Sequence, residues 1–235
     1  MNWNPAPSSL PTTEARVTQV RSIKWSILKT DRSIPHLRRK GYHLVMGVLC
    51  VALYGFVLSR ECSLALLVSV GSVWIACDIL RLYWPRLNNI AMRIFGSLMR
   101  REELKGLSAN SYYIIGMGLT LFVFPKPICL LSVLYLAVGD PVAAVAGTLY
   151  GRHPLVAGKS VEGSLANLIA SFFVTLVMAF AFFQLPPERA LLLAATGGAI
   201  SAISELCPVP LNDNLVIPLV SACLLTLVNG IVPLF

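Results

Sequence analysis

Seven apolar runs, at about 43–59, 63–83, 110–125, 128–149, 164–184, 189–207 and 215–234, occupy most of this 235-residue chain. Several approach the ~20 residues that a helix needs to cross a bilayer, and the first and third are shorter. In hydrocarbon every backbone N–H and C=O must find its partner within the protein, which leaves helices and closed barrels. Barrel strands would appear as ~10-residue segments of alternating polarity, a pattern this sequence does not show. Only 13% of the residues are charged and 56% are hydrophobic, about half the charge of an average soluble domain. The expected fold class is all-α: a polytopic transmembrane helical bundle of about seven spans, with no large soluble domain.

The basic residues set the expected orientation. Sixteen of the nineteen Lys and Arg fall before span one, between spans two and three (counting Arg81 at the end of span two), or between spans four and five. The other three are Arg60, Lys126 and Arg189. By the positive-inside rule the N-terminus is cytoplasmic and the C-terminus lies on the opposite side. Residues 1–34 are expected to form a cytoplasmic basic tail with an interfacial helix, and 35–235 a single transmembrane domain. In the tail Val17, Val20, Ile23 and Ile27 recur at helical spacing with Arg and Lys between them. Leu87, Ile90, Ile94 and Leu98 do the same among Arg86, Arg93 and Arg100. Both patterns fit basic amphipathic helices lying on the cytoplasmic leaflet, and equally topogenic charge combined with ordinary helical packing. No signal peptide precedes the basic arm, so span one is expected to be an uncleaved anchor. The net charge of +8 follows topology, and with no nucleic-acid-reading motif no such partner is expected. The six cysteines form no C-x-x-C pair and are expected to pack as small hydrophobes.

Asp140 lies inside the fourth apolar run. An ionisable group at that depth is costly and marks a functional site by default. It precedes Leu149 by nine residues, or ~13 Å at helical rise. Asp140, Ala143, Ala144 and Gly147 share one helix face. Small-residue helix packing accounts for the alanines and the glycine, but not for the acid. The following loop contains Gly158-Lys159-Ser160, which resembles the end of a phosphate-binding loop. Six residues rather than four separate it from Gly151, and no strand precedes it. Ser160 is placed to cap the next helix, whose free N–H groups favour anions, and Lys159 adds a point charge.

Other polar groups gather on the same side. Arg39, Lys40 and His43 enter span one, and Asp78 and Arg81, three apart on one face, close span two. Glu102, Glu103 and Lys105 precede span three; Glu205 ends span six; Asp213 and Asn214 open span seven. The opposite side has only Glu61 and Glu188 as acids. The economical arrangement is a cytoplasm-facing pocket that dips into the bilayer. Two alternatives stay open for His43, a hydrogen-bonded interfacial histidine or a general base, and for Asp213-Asn214, a helix cap or a metal ligand. His36, His43 and His153 are too scattered for a zinc site.

Together these elements resemble the CTP-dependent lipid kinases, a family comprising dolichol kinase, phytol kinase and the CTP-type diacylglycerol kinase. The family is similar to the phosphatidate cytidylyltransferases. The resemblance covers about residues 35 to 220. It rests on Arg39-Lys40-x-x-His43, Asp78-x-x-Arg81, Arg100 with Glu103 before Gly106-x-Ser108, and Gly139-Asp140 with Ala143 and Gly147. It continues through Tyr150-Gly151-Arg152, Lys159-Ser160-x-Glu162-Gly163-Ser164, and Glu205 followed by Asp213-Asn214 and Pro218. The cytidylyltransferases carry a C-terminal signature of paired Lys-Arg and Lys-Asp, a His-Gly-Gly run and Asp-Arg-x-Asp. Here the C-terminal cluster is only Pro210-Leu211-Asn212-Asp213-Asn214, which favours the kinases.

The resemblance implies transfer of the γ-phosphoryl group of CTP to a lipid hydroxyl (polyprenol, phytol or diacylglycerol) at the cytoplasmic face, with Mg²⁺ or another divalent cation. It makes 35–235 the catalytic domain and membrane lipids its surroundings. Asp140, Lys159 and Glu162 take catalytic roles. Arg39, Lys40, Gly147, Arg152, Ser160 and Ser164 bind nucleotide phosphates, and Asp140, Glu162 and Asp213 hold the metal. His43, Asp78, Arg81, Glu103, Glu205 and Asn214 complete the pocket. The alternative within the same chemistry is CDP-lipid synthesis by a phosphatidate cytidylyltransferase. A transporter would need polar residues reaching both faces, whereas these stop in one half.

Overall fold

The computed structural model describes residues 35–96, 99 and 101–234. The expected tail helix at 16–29 and the residues Leu98 and Arg100 lie outside the described residues. The first span is Pro35–Ala52 (α1), continued by a π-turn at Leu53–Val57. Arg60–Tyr83 (α2) returns, followed by a short helix, Pro85–Phe95 (α3), and a 3-10 turn, Arg101–Leu104. Ala109–Val123 (α4) leads to Lys126–Leu134 (α5), which passes through a π-turn at Tyr135–Gly139 into Asp140–Tyr150 (α6). Val161–Ala181 (α7), Pro187–Leu206 (α8) and Asp213–Ile231 (α9) complete the bundle. Among the described residues there is no strand beyond the single bridge between Pro154 and Ser160.

Six helical stretches are long and apolar enough to cross a membrane, and the 15-residue α4 is a shorter apolar seventh. The fold is a helical membrane bundle of about seven spans. Its surface is apolar in the way lipid contact requires: Phe56, Val68, Phe122 and Ile231 are 74%, 66%, 68% and 82% exposed. The helix ends follow capping chemistry. Ser59, Ser108, Ser160 and Asn212 each accept a backbone N–H at the start of α2, α4, α7 and α9, and α5 and α8 carry Pro in the first turn, where no donor is lost. The first spanning helix begins at Arg38, before the apolar run. Arg39, Lys40 and His43 are buried in it, and pairing allows these residues to belong to the interior.

The α5–α6 span is the centre of the bundle; Leu131, Tyr135, Leu136 and Ala137 are fully buried. Its π-turn has a local cause. Pro141 has no N–H to give the Ala137 carbonyl, and its ring would strike that carbonyl in a regular helix. One extra residue per turn relieves both problems, and π-turns of this kind recur at functional sites. Asp140 sits at the junction.

Gly139 is fixed by close approach. A Cβ there would lie 2.5 Å from Asn167 Oδ1, 2.7 Å from Ser171 Oγ and 3.0 Å from Ser201 Oγ. Gly139→Ala is therefore expected to lower the thermal unfolding temperature in detergent, at a cost of about 1–3 kcal/mol from overpacking. Gly230→Ala, where a Cβ meets nothing within 4 Å, is expected to be neutral or to stabilise α9 by about 0.5–1 kcal/mol.

Candidate active site

The N-terminus of α1, the C-terminus of α2, the N-termini of α4, α7 and α9, and the C-terminus of α8 meet at one end of the bundle. Asn214 ties α9 to α4 there, its Nδ2 donating to the Ala109 carbonyl at 2.8 Å. Two charged groups make the centre. Lys40 of α1 forms an ion pair with Asp140 of α6, and both are buried. Burying either charge alone would be prohibitive; the pair persists because each ion replaces the other's lost water.

Lys159 makes the second centre. Its ammonium lies 3.0 Å from Asp213 Oδ2 of α9 and 3.4 Å from Glu205 Oε1 of α8, and it also interacts with Asp140. Burial alone would lower its pKa. Asp140, Asp213 and Glu205 outweigh burial and hold the ammonium above the usual lysine value. The stabilisation from that shift is complete below the ordinary lysine value and is lost only as pH rises through the raised one. Lys159 is thus charged across neutral pH. Behind it, Glu205 accepts a 2.9 Å bond from Asn167 Nδ2, and Asn167 Oδ1 accepts from Ser171 at 3.0 Å and Ser201 at 2.6 Å. This buried ladder fixes the carboxylate from the protein interior.

The 151–160 loop gives each residue of its motif a separate task. Gly158 has φ +74°, a left-handed conformation that suits glycine, and turns the chain so that Lys159 enters the acid cluster. Ser160 caps α7, accepting from the Gly163 N–H at 3.1 Å. Gly163 lets α6 and α7 cross closely, since a Cβ would stand 2.9 Å from the Ala143 carbonyl; Gly147 is on the facing side. The Ser164 hydroxyl is buried with no hydrogen-bond partner among the described residues, an acceptor and donor held in reserve beside the loop.

Glu162 and Arg152 stand apart from the centre. The expectation grouped Glu162 with Asp140 and Asp213 around a cation. Here its carboxylate receives the backbone N–H groups of Arg152 and His153 at 3.1 and 3.4 Å and lies 2.7 Å from His153 Nδ1. It closes the loop on itself. Arg152 is exposed. Among the described residues no three His, Cys, Asp or Glu side chains converge closely enough to hold a metal on their own.

A second network braces the entrance. Asp78 accepts from Arg81 Nε at 2.6 Å, the Ser108 N–H at 2.7 Å and the Ser111 hydroxyl at 2.5 Å. Arg81 donates onward to the carbonyls of Glu103 and Gly106, each at 2.9 Å. Glu103 in turn pairs with Arg39 at 3.3 Å. Asp78 and Arg81 therefore shape the segment that holds Arg39, rather than reaching the Lys40–Asp140 pair. His43 lies a turn beyond Arg39, its ring 5.0 Å from that of Tyr113, and is an electrostatic neighbour of Asp140.

The structure defines a class: a helical membrane bundle with a cluster of buried and half-buried lysines and carboxylates at one end. Similarity to known proteins makes the class specific. The chain is 31% identical over 218 residues to CTP-dependent diacylglycerol kinase 1 of Schizosaccharomyces pombe, covering 88% of this chain and 98% of that protein. It is 30% identical over 212 residues to the Saccharomyces cerevisiae protein of the same name, covering 82% and 72%. Over 144 residues it is 33% identical to a phytol kinase of Synechocystis, 59% of this chain and 56% of that protein. No family model matches the chain, and no solved structure matches it significantly. The chain belongs to the CTP-dependent lipid kinase family, and is a phosphotransferase.

The ion pair at the centre has two separable contributions. Lys40→Met is expected to destabilise the protein by up to about 3–5 kcal/mol, because Asp140 loses its principal partner inside the bundle. Adding Asp140→Asn removes the stranded charge and is expected to recover much of the thermal stability in detergent, yet none of the phosphotransferase activity.

Proposed function

We propose that the chain transfers the γ-phosphoryl group of CTP to the free hydroxyl of diacylglycerol at the cytoplasmic face of a membrane. The observation that carries this reading is the pairing of Lys40 with Asp140 and of Lys159 with Asp213 and Glu205. Phosphoryl transfer is mainly positioning and neutralisation of phosphate charge. Here cations from separate elements converge, each resting on carboxylates that a polyphosphate can displace. Near-end-to-end similarity to diacylglycerol kinases supports CTP as donor and diacylglycerol as acceptor.

Arg39, Lys40 and Lys159 hold the triphosphate, and the Ser164 hydroxyl, without a hydrogen-bond partner among the described residues, is available to a phosphate oxygen. As the lysines turn to phosphate, Asp140, Asp213 and Glu205 are released. These all-oxygen donors suit a hard divalent cation, which is commonly held by one or two carboxylates together with substrate phosphates. Asp140 and Asp213 would hold it, and it would neutralise charge on the phosphates when bound. Glu162 keeps the loop in shape, so that Lys159 stays aimed at the site. In the transfer the acceptor oxygen bonds to the γ-phosphorus as the bond to the bridging oxygen breaks. CDP leaves, and the hydroxyl proton passes to a carboxylate of the cluster.

With γ-labelled CTP the purified protein is expected to label diacylglycerol; α-label entering a CDP-lipid from phosphatidate would overturn the kinase reading. Losing a charge-assisted hydrogen bond costs about 1.5–3 kcal/mol, roughly ten- to more than a hundredfold in rate. Lys159→Ala is therefore expected to lower kcat/KM for CTP by that factor, and Arg152→Ala to change it little. For orientation, a cysteine placed in the 151–160 loop should react with impermeant reagents only from the cytoplasmic side, and a C-terminal tag should be reached only from the other.

A further inference from the structure

Beside the charged cluster is a cavity of about 130 Å³. It lies between α1, α2, α3 and the segment that leads into α4, with an apolar side and a polar one. Trp74, Cys77, Ala91, Phe95 and Met99 form its apolar part, while Arg39 and His43 stand at its polar end. Arg39 and His43 are one helical turn apart on α1. Lys40, between them in sequence, is turned onto Asp140. Arg39, assigned above to the triphosphate, thus joins the polar end of the cavity to the phosphate cluster.

Two details identify what the cavity takes. Cys77 and Phe95 line it and are also exposed on the outer surface, so it communicates with the belt that lipid covers. The volume admits a small head group and not acyl chains, which remain in the bilayer. The second detail is Trp74. It sits on the α2 face that also carries Asp78 and Arg81, its ring edge-on to Phe95 at 5.4 Å. Its indole N–H is buried and has no hydrogen-bond partner among the described residues. Buried donors are nearly always satisfied, and this one borders a cavity whose acids, Asp78 and Glu103, are already paired with Arg81 and Arg39.

Resting on the kinase reading above, we propose that this cavity binds the head of the acceptor lipid and that Trp74 selects ester-linked glycerolipids by donating its indole N–H to an acyl ester carbonyl. The acceptor hydroxyl then lies at the Arg39–His43 end, beside the triphosphate that Arg39 helps to hold. A prenyl alcohol has no carbonyl and leaves the donor unpaired. An ether-linked glycerolipid fills the same space and leaves it unpaired too.

The test uses the full chain in mixed micelles, with dioleoylglycerol and its dialkyl ether analogue as acceptors. The wild type is expected to prefer the ester by about five- to tenfold in kcat/KM, the worth of one neutral hydrogen bond. Trp74→Phe keeps an aromatic ring and removes the donor; it is expected to abolish that preference by raising KM for the ester more than for the ether, with KM for CTP unchanged. Equal losses on ester and ether, or a preserved preference, would overturn the role of Trp74. A second readout needs no turnover. Dioleoylglycerol should slow alkylation of Cys77 by N-ethylmaleimide, and CTP should not, with exposed Cys62 at the far end of α2 as the internal control. Failure of dioleoylglycerol to protect Cys77 would overturn the cavity assignment even if the protein is an active kinase. Protection of Cys77 in a protein that transfers no γ-label would instead overturn the kinase reading and leave the lipid site standing.

Discussion

The Lys40–Asp140 ion pair is the interaction on which the rest of this architecture depends. An acid placed on the central helix of a bundle, 2% exposed, has to be met by a cation, and the cation has to come from another helix. That requirement draws the N-terminus of α1 into the bundle instead of leaving it at the surface. It also sets the neighbours: once Lys40 is turned inward, Arg39 falls beside Glu103 and His43 beside Tyr113. Charged residues that would ordinarily mark the end of a span become part of its packing.

Lys159 extends the same logic across the remaining helices. It is delivered by a loop rather than a helix, and the loop is held by its own hydrogen bonds: Leu155 to Lys159, Val161 to His153, and Glu162 to two backbone donors. The resulting cluster has cations and carboxylates in rough balance before any ligand arrives. A small anion gains little from such a site, because it must compete with carboxylates already in place. A polyphosphate, with several oxygens to offer at once, competes better, which matches the chemistry of the family.

Much of this was legible in the sequence because hydrocarbon is an unforgiving solvent. Runs of apolar residues mark the spans, and Asp140 stands out since nothing else in its run is charged. The boundaries were less legible. The apolar run suggests that span one begins near residue 43, while the spanning helix begins at Arg38, because ion pairing between distant segments cannot be read from either alone. The same holds for Glu162, whose partner His153 is in the adjacent loop and whose sequence neighbours advertise phosphate binding. Asn167, Ser171 and Ser201 were missed as supports of Glu205. Their signal was present: an amide and two hydroxyls inside apolar runs, with Asn167 and Ser171 four apart, and Ser201 four before Glu205. Hydroxyls commonly bond their own helix, as Thr175 does to the Ser171 carbonyl, so the pattern alone did not single them out. Trp74 was hidden for a different reason; an indole in a membrane span is ordinary until its N–H is found without a partner among the described residues.

The π-turn at Tyr135–Gly139 has one more consequence. A regular helix advances by 100° per residue, and the extra residue in this turn shifts the phase of everything after it. The same continuous span therefore faces the apolar centre of the bundle with Leu131 and Tyr135 and faces Lys40 with Asp140, without a break. Its charged face and its packing face are geared to each other through that one turn. Straightening it by shortening the rod by a single residue would keep every side chain and aim the acid at the wrong neighbour.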